Sequence, residues 1–256
     1  MTPAKSPANE PIDAVYVWSS GEELRYSIRS LDKHAPWIRK VYVVTEAREP
    51  AWLKGSHPRL VFVKPADVVR DPAAGADAVK WNLFRIPGLS RQFLNLDAGL
   101  YLGGPLLAKE FLTDQGGYRF FAGPADLLPG GPAEALLNSR FGNRSPRQQV
   151  ARIPHLFDRS FLEEVLRLWE KNIKQGGVSL ETLYFYFLVE NPLQRGAHEK
   201  IPLTDDICGV TPGSDAGRVK AMLSQSPRFF RLEGRLSFMA RLFLWLRYWR
   251  RSAFEK

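Results

Sequence analysis

Short apolar runs alternate with helix-period stretches through the first hundred residues, and that alternation constrains the fold more than any other feature. Ile12 to Trp18, Val41 to Thr45, Leu60 to Val63 and Phe93 to Leu96 are β-rich runs bounded by turn residues. Ser19-Ser20-Gly21 ends the first, and the fourth opens into Asp97-Ala98-Gly99. Between the first two runs, Glu22 to Lys33 puts Leu24, Ile28 and Leu31 on one face, with acidic residues in its first turn, and Ala35-Pro36-Trp37 breaks it. Asp77 to Phe84 is predicted to be helical, before a turn at Ile86-Pro87-Gly88. Strands alternating with helices imply βαβ units: an α/β fold with a mostly parallel sheet and flanking helices. Such sheets bind ligands beyond the carboxyl ends of their strands, so the loops at residues 19–21 and 97–99 are candidate site walls.

The second half is predicted to be helical and to lie on the first. Phe161 to Ile173 is strongly amphipathic and Leu180 to Val189 is an apolar, aromatic helix, while the stretch from Gly103 to Gly131 reads as loop. The expected organisation is a flexible lead over 1–11, one α/β domain over 12–227 and a basic amphipathic C-terminal helix over 228–256. With 256 residues, 45% hydrophobic and 25% charged, the chain is neither disordered, collagen-like nor a membrane bundle. Its single cysteine, Cys208, excludes an internal disulfide framework and a cysteine-based zinc cluster. The first residues lack the apolar core of a secretory signal, and no uncharged apolar run reaches the roughly 18 residues of a spanning helix. The expectation is a cytoplasmic protein with a peripheral membrane contact as its further option.

A net charge of +9 favours anionic partners. Much of it sits near the end of the chain, where Arg228, Arg231, Arg235, Arg241, Arg247, Arg250 and Arg251 face Glu233 alone. Leu236, Met239, Phe243, Leu246 and Trp249 recur there at helical spacing. That pattern suits a helix lying on an anionic membrane surface, or a terminal helix packed on its own domain with arginines in water. No nucleic-acid-binding motif accompanies the charge, and nucleic acid is not an expected partner.

Specific strings go further. Ile12-Asp13-Ala14-Val15-Tyr16-Val17-Trp18 resembles the opening motif of the Stealth family of sugar-phosphate transferases. Glu23 to Ser30, Ala35 to Thr45, Pro50 to Leu53 and Arg85-Ile86-Pro87-Gly88-Leu89-Ser90 resemble its long second conserved region. Ile153 to Ser160 is similar to the third region, Leu183 to Tyr186 to part of the fourth, and Ser252 to Lys256 to the closing signature. The resemblance implies a GT-A-like nucleotide-sugar fold. It also implies transfer of a hexose 1-phosphate from a UDP-sugar donor to a hydroxyl of a glycan acceptor, in capsule or exopolysaccharide synthesis. UMP leaves and a sugar phosphodiester remains. A catalytically degraded relative, keeping only a nucleotide-sugar or glycan-binding scaffold, is the alternative.

The resemblance distributes roles and exposes departures. It assigns substrate-binding roles to Asp13, Trp18, Arg25, Arg29, Asn82, Arg85 and Asp158. Arg25 and Arg29, four apart on one helix face, suit a phosphate through their planar forks or simply line a solvated face. Ser19 and Ser20 replace the family's bulky apolar residue and acid, and keep a polar contact for the nucleotide. After the fourth strand the family shows Asn-Asp-Asp, a cluster suited to a divalent cation; here Asp97, Ala98 and Gly99 stand there. Asp97 is therefore the candidate catalytic and metal-binding acid, for Mg²⁺ or Mn²⁺, or else a loop-capping residue. Arg152 occupies the place of a family histidine and cannot accept a proton, though it can hold a phosphate. His155 is a candidate base or a structural histidine. The fourth region's arginine–aspartate pair is replaced by Ile173 and Gly177, with Lys171 keeping positive charge nearby as a further substrate contact. Asp205 and Asp206 are candidate cation ligands or a surface turn.

Overall fold

The computed structural model describes residues 10–71, 75–127, 131–143, 147–194, 197–202, 208–211, 227–232 and 238–256. The chain forms two compact units, each assembled from separated stretches: 1–13, 64–95 and 108–203 in one, and 14–63, 96–107 and 204–256 in the other.

The second of these carries the parallel sheet. β1 (Ile12–Val17), entered from the other unit's first stretch, pairs in parallel with β2 (Val41–Val44), with Ala14 opposite Val41. β2 pairs in parallel with β3 (Leu60–Val63), with Val41 opposite Leu60. β1 and β2 are buried almost throughout, as strands covered on both faces must be, which is why they read as continuous apolar runs. α1 (Glu23–His34) connects them and packs on β5 (Leu100–Leu102). Two serines stitch that packing. Ser27 Oγ donates to the Leu100 carbonyl at 2.6 Å, and the Leu102 amide donates to Ser30 Oγ at 3.0 Å. β5 pairs antiparallel with β11 (Phe229–Leu232), which pairs in parallel with β10 (Cys208–Thr211). At the end of β5, the Gly103 amide donates to the Arg228 carbonyl at 2.7 Å, and a β-carbon there would collide with the carbonyl of Pro227. The last helix, which is α6 (Phe238–Arg247), buries Ala240, Phe243 and Leu244 against Tyr26, Tyr101, Phe230 and Tyr248.

In the other unit, α2 (Gly75–Trp81) is followed by a 3-10 turn at Leu83–Arg85 and by β4 (Gln92–Leu96). β6 is Arg119–Leu127, α3 Pro132–Phe141, β7 Gln148–Val150, β8 His155–Asp158, α4 Arg159–Lys174, α5 Leu180–Glu190 and β9 Glu199–Pro202. β4 runs antiparallel to β8, with Gln92 opposite Asp158. β6 lies between β7 (antiparallel) and β9 (parallel). α5 is buried nearly all round and packs against α2, α3 and α4. Its end is held by a buried bidentate pair: Arg147 Nε and Nη2 each donate to Glu190 at 2.7 Å.

The predicted strands and helices of the first hundred residues are present within a few residues of their expected bounds. Two expectations change. Residues 119–127, expected as loop, form β6, whose pairing comes from β7 and β9 far along the chain. The segment 228–256 opens with a strand, β11, before α6.

Candidate functional site

The turn leaving β4 is built by three backbone and side-chain ties. The Leu100 amide donates to the Asp97 carbonyl at 3.0 Å, and the Leu232 amide donates to the Gly99 carbonyl at 3.2 Å. The second bond lays β11 beside the turn, and β11 delivers Arg231, whose Nη2 donates to Asp97 Oδ2 at 2.7 Å. Both side chains are partly exposed, 20% for Arg231 and 37% for Asp97. The expected metal-binding acid is thus engaged with a guanidinium. A carboxylate holding an arginine does not fit a divalent cation at the same oxygens, which need several unshared oxygen ligands. Among the described residues no group of three or more His, Cys, Asp or Glu side chains is placed to hold a metal ion. Asp205 and Asp206 lie outside the described residues.

At the other candidate wall, in the same unit, the Trp18 amide extends the β1–β2 ladder by donating to the Val44 carbonyl at 3.0 Å. The Trp18 indole is buried, yet among the described residues its Nε1–H has no hydrogen-bond partner, a donor of the kind that needs an explanation in a folded protein. Ser19 and Ser20 follow it and are exposed.

Other residues assigned to substrate have structural partners. Arg29, only 6% exposed, donates through Nη2 to Glu255 at 2.7 Å and through Nη1 to the Tyr248 carbonyl at 2.9 Å. Arg25 Nε donates to the same carboxylate at 3.0 Å. Burial pushes the Glu255 carboxyl up, but its bonds from Arg29, the Ser252 backbone and Arg25 outweigh that and its pKa is lowered. The arginine pair of α1 therefore grips the closing residues of the chain instead of a solvated phosphate. Asp13 is fully buried and accepts the Ser90 amide at 2.7 Å, while its own amide donates to Ser90 Oγ at 3.0 Å. Both residues belong to one unit, and the buried carboxylate is closed to a nucleotide.

His155 is not placed to act as a base. It is 1% exposed, its Nε2–H donates to the Ala151 carbonyl at 2.9 Å, and its ring lies 4.8 Å from that of Phe185. Burial pushes its pKa down to about 4, the backbone bond opposing this only in part. Arg152, in the turn between β7 and β8, is exposed.

Asp158 is buried as well, and anchors a network. Its Oδ2 accepts from Arg91 Nε at 2.8 Å and from the Tyr118 hydroxyl at 2.9 Å, and its Oδ1 accepts the Ser160 amide at 2.8 Å, capping α4. Arg159 holds the carbonyls of Phe84 and Leu89 at 2.9 and 2.8 Å. Around these residues a cavity of about 570 Å³ is lined by Phe84, Arg85, Arg91, Arg159, Ser160 and Glu163. Three guanidinium groups and one carboxylate line it, with Arg91 already engaged by Asp158 and Glu10, which leaves Arg85 and Arg159 as the groups suited to an anion there. Of the remaining assigned residues, Asn82 Nδ2 donates to the Ala78 carbonyl at 2.9 Å, and Lys171 is exposed on the last turn of α4.

The structure thus brings Asp97 to Arg231, Arg25 and Arg29 to Glu255, and Asp158 to Arg91 and Tyr118. Arg91 and Tyr118 had no signal in the sequence and Arg231 stood out only as one of the clustered basic residues, whereas Glu255 stands in the closing string that resembles the family's.

Comparisons with known proteins show the fold and a partial sequence likeness. The galactosyltransferase LgtC, solved in complex with donor and acceptor sugar analogs, is 12% identical, with a TM-score of 0.50 over 92% of this chain and 95% of that one. That likeness shows the fold: α/β, with a mostly parallel sheet, of the GT-A type. Exopolysaccharide phosphotransferase SCO6023 of Streptomyces coelicolor is 32% identical over 203 residues, 61% of this chain and 34% of that protein. Exopolysaccharide phosphotransferase CpsY of Mycobacterium tuberculosis is 37% identical over 103 residues, 39% of this chain and 19% of that protein. The human N-acetylglucosamine-1-phosphotransferase subunits alpha/beta are 33% identical over 108 residues, 41% of this chain and 9% of that protein. The chain spans about a third of SCO6023 and less of the other two. Residues 18–120 match the profile of Stealth protein CR2, conserved region 2. The matched stretch runs from the buried Trp18, through the Asp97 turn, to the start of β6, and is similar there to conserved region 2 of the Stealth family.

Proposed function

We propose that this chain handles the donor in a transferase that moves a hexose 1-phosphate from a UDP-sugar to a hydroxyl of a polysaccharide acceptor, in capsule or exopolysaccharide synthesis. The observation that carries this is the placing of Stealth region 2: it begins at Trp18 and includes the Asp97 turn, the two places where a sheet of this type presents ligands. The acceptor oxygen bonds the phosphorus that bears the sugar, the bond from that phosphorus to the UMP oxygen breaks, and UMP leaves with the electron pair. The acceptor proton passes to a base that is not His155.

Phosphoryl transfer depends on positioning and on countercharge for the diphosphate. Enzymes on GT-A-like folds commonly use a divalent cation. In this reading Mg²⁺ or Mn²⁺ does not sit on Asp97, and Arg231, oriented by Asp97, supplies the fixed positive charge beside the β4 turn. Arginine suits the task because its fork donates two parallel bonds to a phosphate.

The test is product analysis with purified protein, UDP-N-acetylglucosamine and glycan oligosaccharides, with Mg²⁺, with Mn²⁺ or with EDTA. UMP release is expected. UDP release would mean ordinary glycosyl transfer and would overturn the sugar-phosphate reading. Neither product, alongside UDP-sugar binding by calorimetry, would establish the non-catalytic scaffold. Arg231→Met should weaken UDP-sugar binding in EDTA by about tenfold, the loss of one charge-assisted contact; unchanged binding refutes the role given to Arg231.

A further inference from the structure

α6 has two faces, and only one is covered. Ala240, Phe243 and Leu244 point into the aromatic core of their unit. Phe238, Met239, Leu242, Trp245 and Leu246, with Trp249 just past the helix end, are exposed by 38% to 77%. Their spacing of three and four residues puts them on one stripe, opposite the buried face. Single exposed apolar residues are ordinary, but a contiguous stripe with two tryptophans is not.

Beside the end of this stripe lies a cavity of about 400 Å³ whose lining includes Lys33, Arg247, Arg250 and Arg251. Asp32 shares that lining, but its carboxylate accepts the Ala253 amide at 2.8 Å. Arg247 Nη2 donates to the Gly103 carbonyl, and Arg250 stacks its guanidinium over Trp249 at 5.3 Å from the ring centre. On the stripe's other flank Arg241 pairs with Glu22 at 2.6 Å. The balance around the apolar stripe is positive.

We propose that α6 and the turn after it form a docking surface for an anionic lipid bilayer. Trp245, Leu246 and Trp249 enter the headgroup–acyl boundary, where amphipathic indole rings are most at home, and the basic cavity receives lipid phosphates. Charge complementarity selects this occupant: an apolar face rimmed by arginines matches a surface that is apolar beneath and anionic on top. No helix among the described residues is long and apolar enough to cross a membrane, so the contact is made in the interface plane. It holds whether or not the chain transfers sugar phosphates.

Flotation of the full chain with vesicles of phosphatidylcholine, with and without 30% phosphatidylglycerol, tests it. Binding is expected only with phosphatidylglycerol, with a blue shift of tryptophan emission and quenching by bromine-labelled acyl chains. Trp245→Ser with Trp249→Ser should abolish flotation while leaving the circular dichroism and melting temperature unchanged, because both rings lie outside the core. Arg250→Gln with Arg251→Gln should weaken vesicle binding about 25-fold, about fivefold for each charge removed near the surface. Equal flotation on neutral vesicles, or flotation unaffected by the tryptophan pair, overturns the proposal. So does a dimer in analytical ultracentrifugation that disappears with the tryptophan pair while no vesicle binding is seen, since a second copy would then cover the stripe.

Discussion

Replacing Glu255 by alanine removes the anion on which the buried Arg29 guanidinium depends. Glu255 is 3% exposed and Arg29 6%, and the carboxylate accepts from Arg29 Nη2 at 2.7 Å, from Arg25 Nε at 3.0 Å and from the Ser252 amide at 3.2 Å. Arg25, with 36% of its side chain exposed, can turn to water, so its share is small. Arg29 cannot, and among the described residues keeps the Tyr248 carbonyl and the face of the Tyr26 ring, neither of them a countercharge. Breaking a buried pair in this way costs about 3–5 kcal/mol, against about 0–1 kcal/mol for a pair at the surface. Equilibrium urea unfolding of Glu255→Ala should show the larger loss. Arg29→Met combined with Glu255→Leu should recover most of it, because an apolar pair leaves no stranded charge. A loss below about 1 kcal/mol in the single variant would place the Arg29 charge in solvent and refute the clamp. The phosphate role is separable: Arg25→Gln should leave UDP-sugar affinity unchanged, and a tenfold weakening with an unaltered unfolding midpoint would restore it.

Two further outcomes follow from buried groups. His155 titrates near 4 in the folded chain and near its ordinary value of 6.5 when unfolded, so the unfolded state binds the extra proton first as pH falls. Stability from this group is full above about pH 6.5 and is lost down to about pH 4; at pH 5 the loss is about 2 kcal/mol relative to pH 7. Unfolding curves of His155→Phe should flatten that slope by this amount, and an unchanged slope would show that the imidazole is not held neutral. Asp158→Ala strips partners from Arg91 and Tyr118 and uncaps α4, at a cost of about 3 kcal/mol or more; a loss under about 1 kcal/mol in urea unfolding would mean that the network is not coupled to folding.

The legible part of the fold is the part written in local periodicity. The burial of β1 and β2 on both faces made Ile12 to Trp18 and Val41 to Thr45 stand out, and the apolar face of α1 did the same for Leu24, Ile28 and Leu31. β6 did not stand out, because its glycine-flanked sequence is held as a strand by partners that arrive later in the chain. The site was legible as positions and not as partnerships. Asp97 could be picked out as an acid after a strand, but its distance of 134 residues from Arg231 hides the pairing that decides what the acid does. Arg29 and Glu255, 226 apart, and Asp13 and Ser90, 77 apart, are of the same kind. A polar residue in an apolar string looks available for chemistry until the fold supplies its partner.

The unit that holds α1 is closed by the final stretch of sequence. Phe230, Phe243 and Tyr248 cover Tyr26 and Tyr101, and Glu255 neutralises Arg29. During synthesis the ribosome releases Tyr26 and Tyr101 long before any of these arrive, so a growing chain presents bare aromatic rings and an unmatched cation for the time it takes to translate more than a hundred codons. Contacts so distant in sequence are slow to close, and an exposed apolar intermediate of this sort is a natural client for a chaperone.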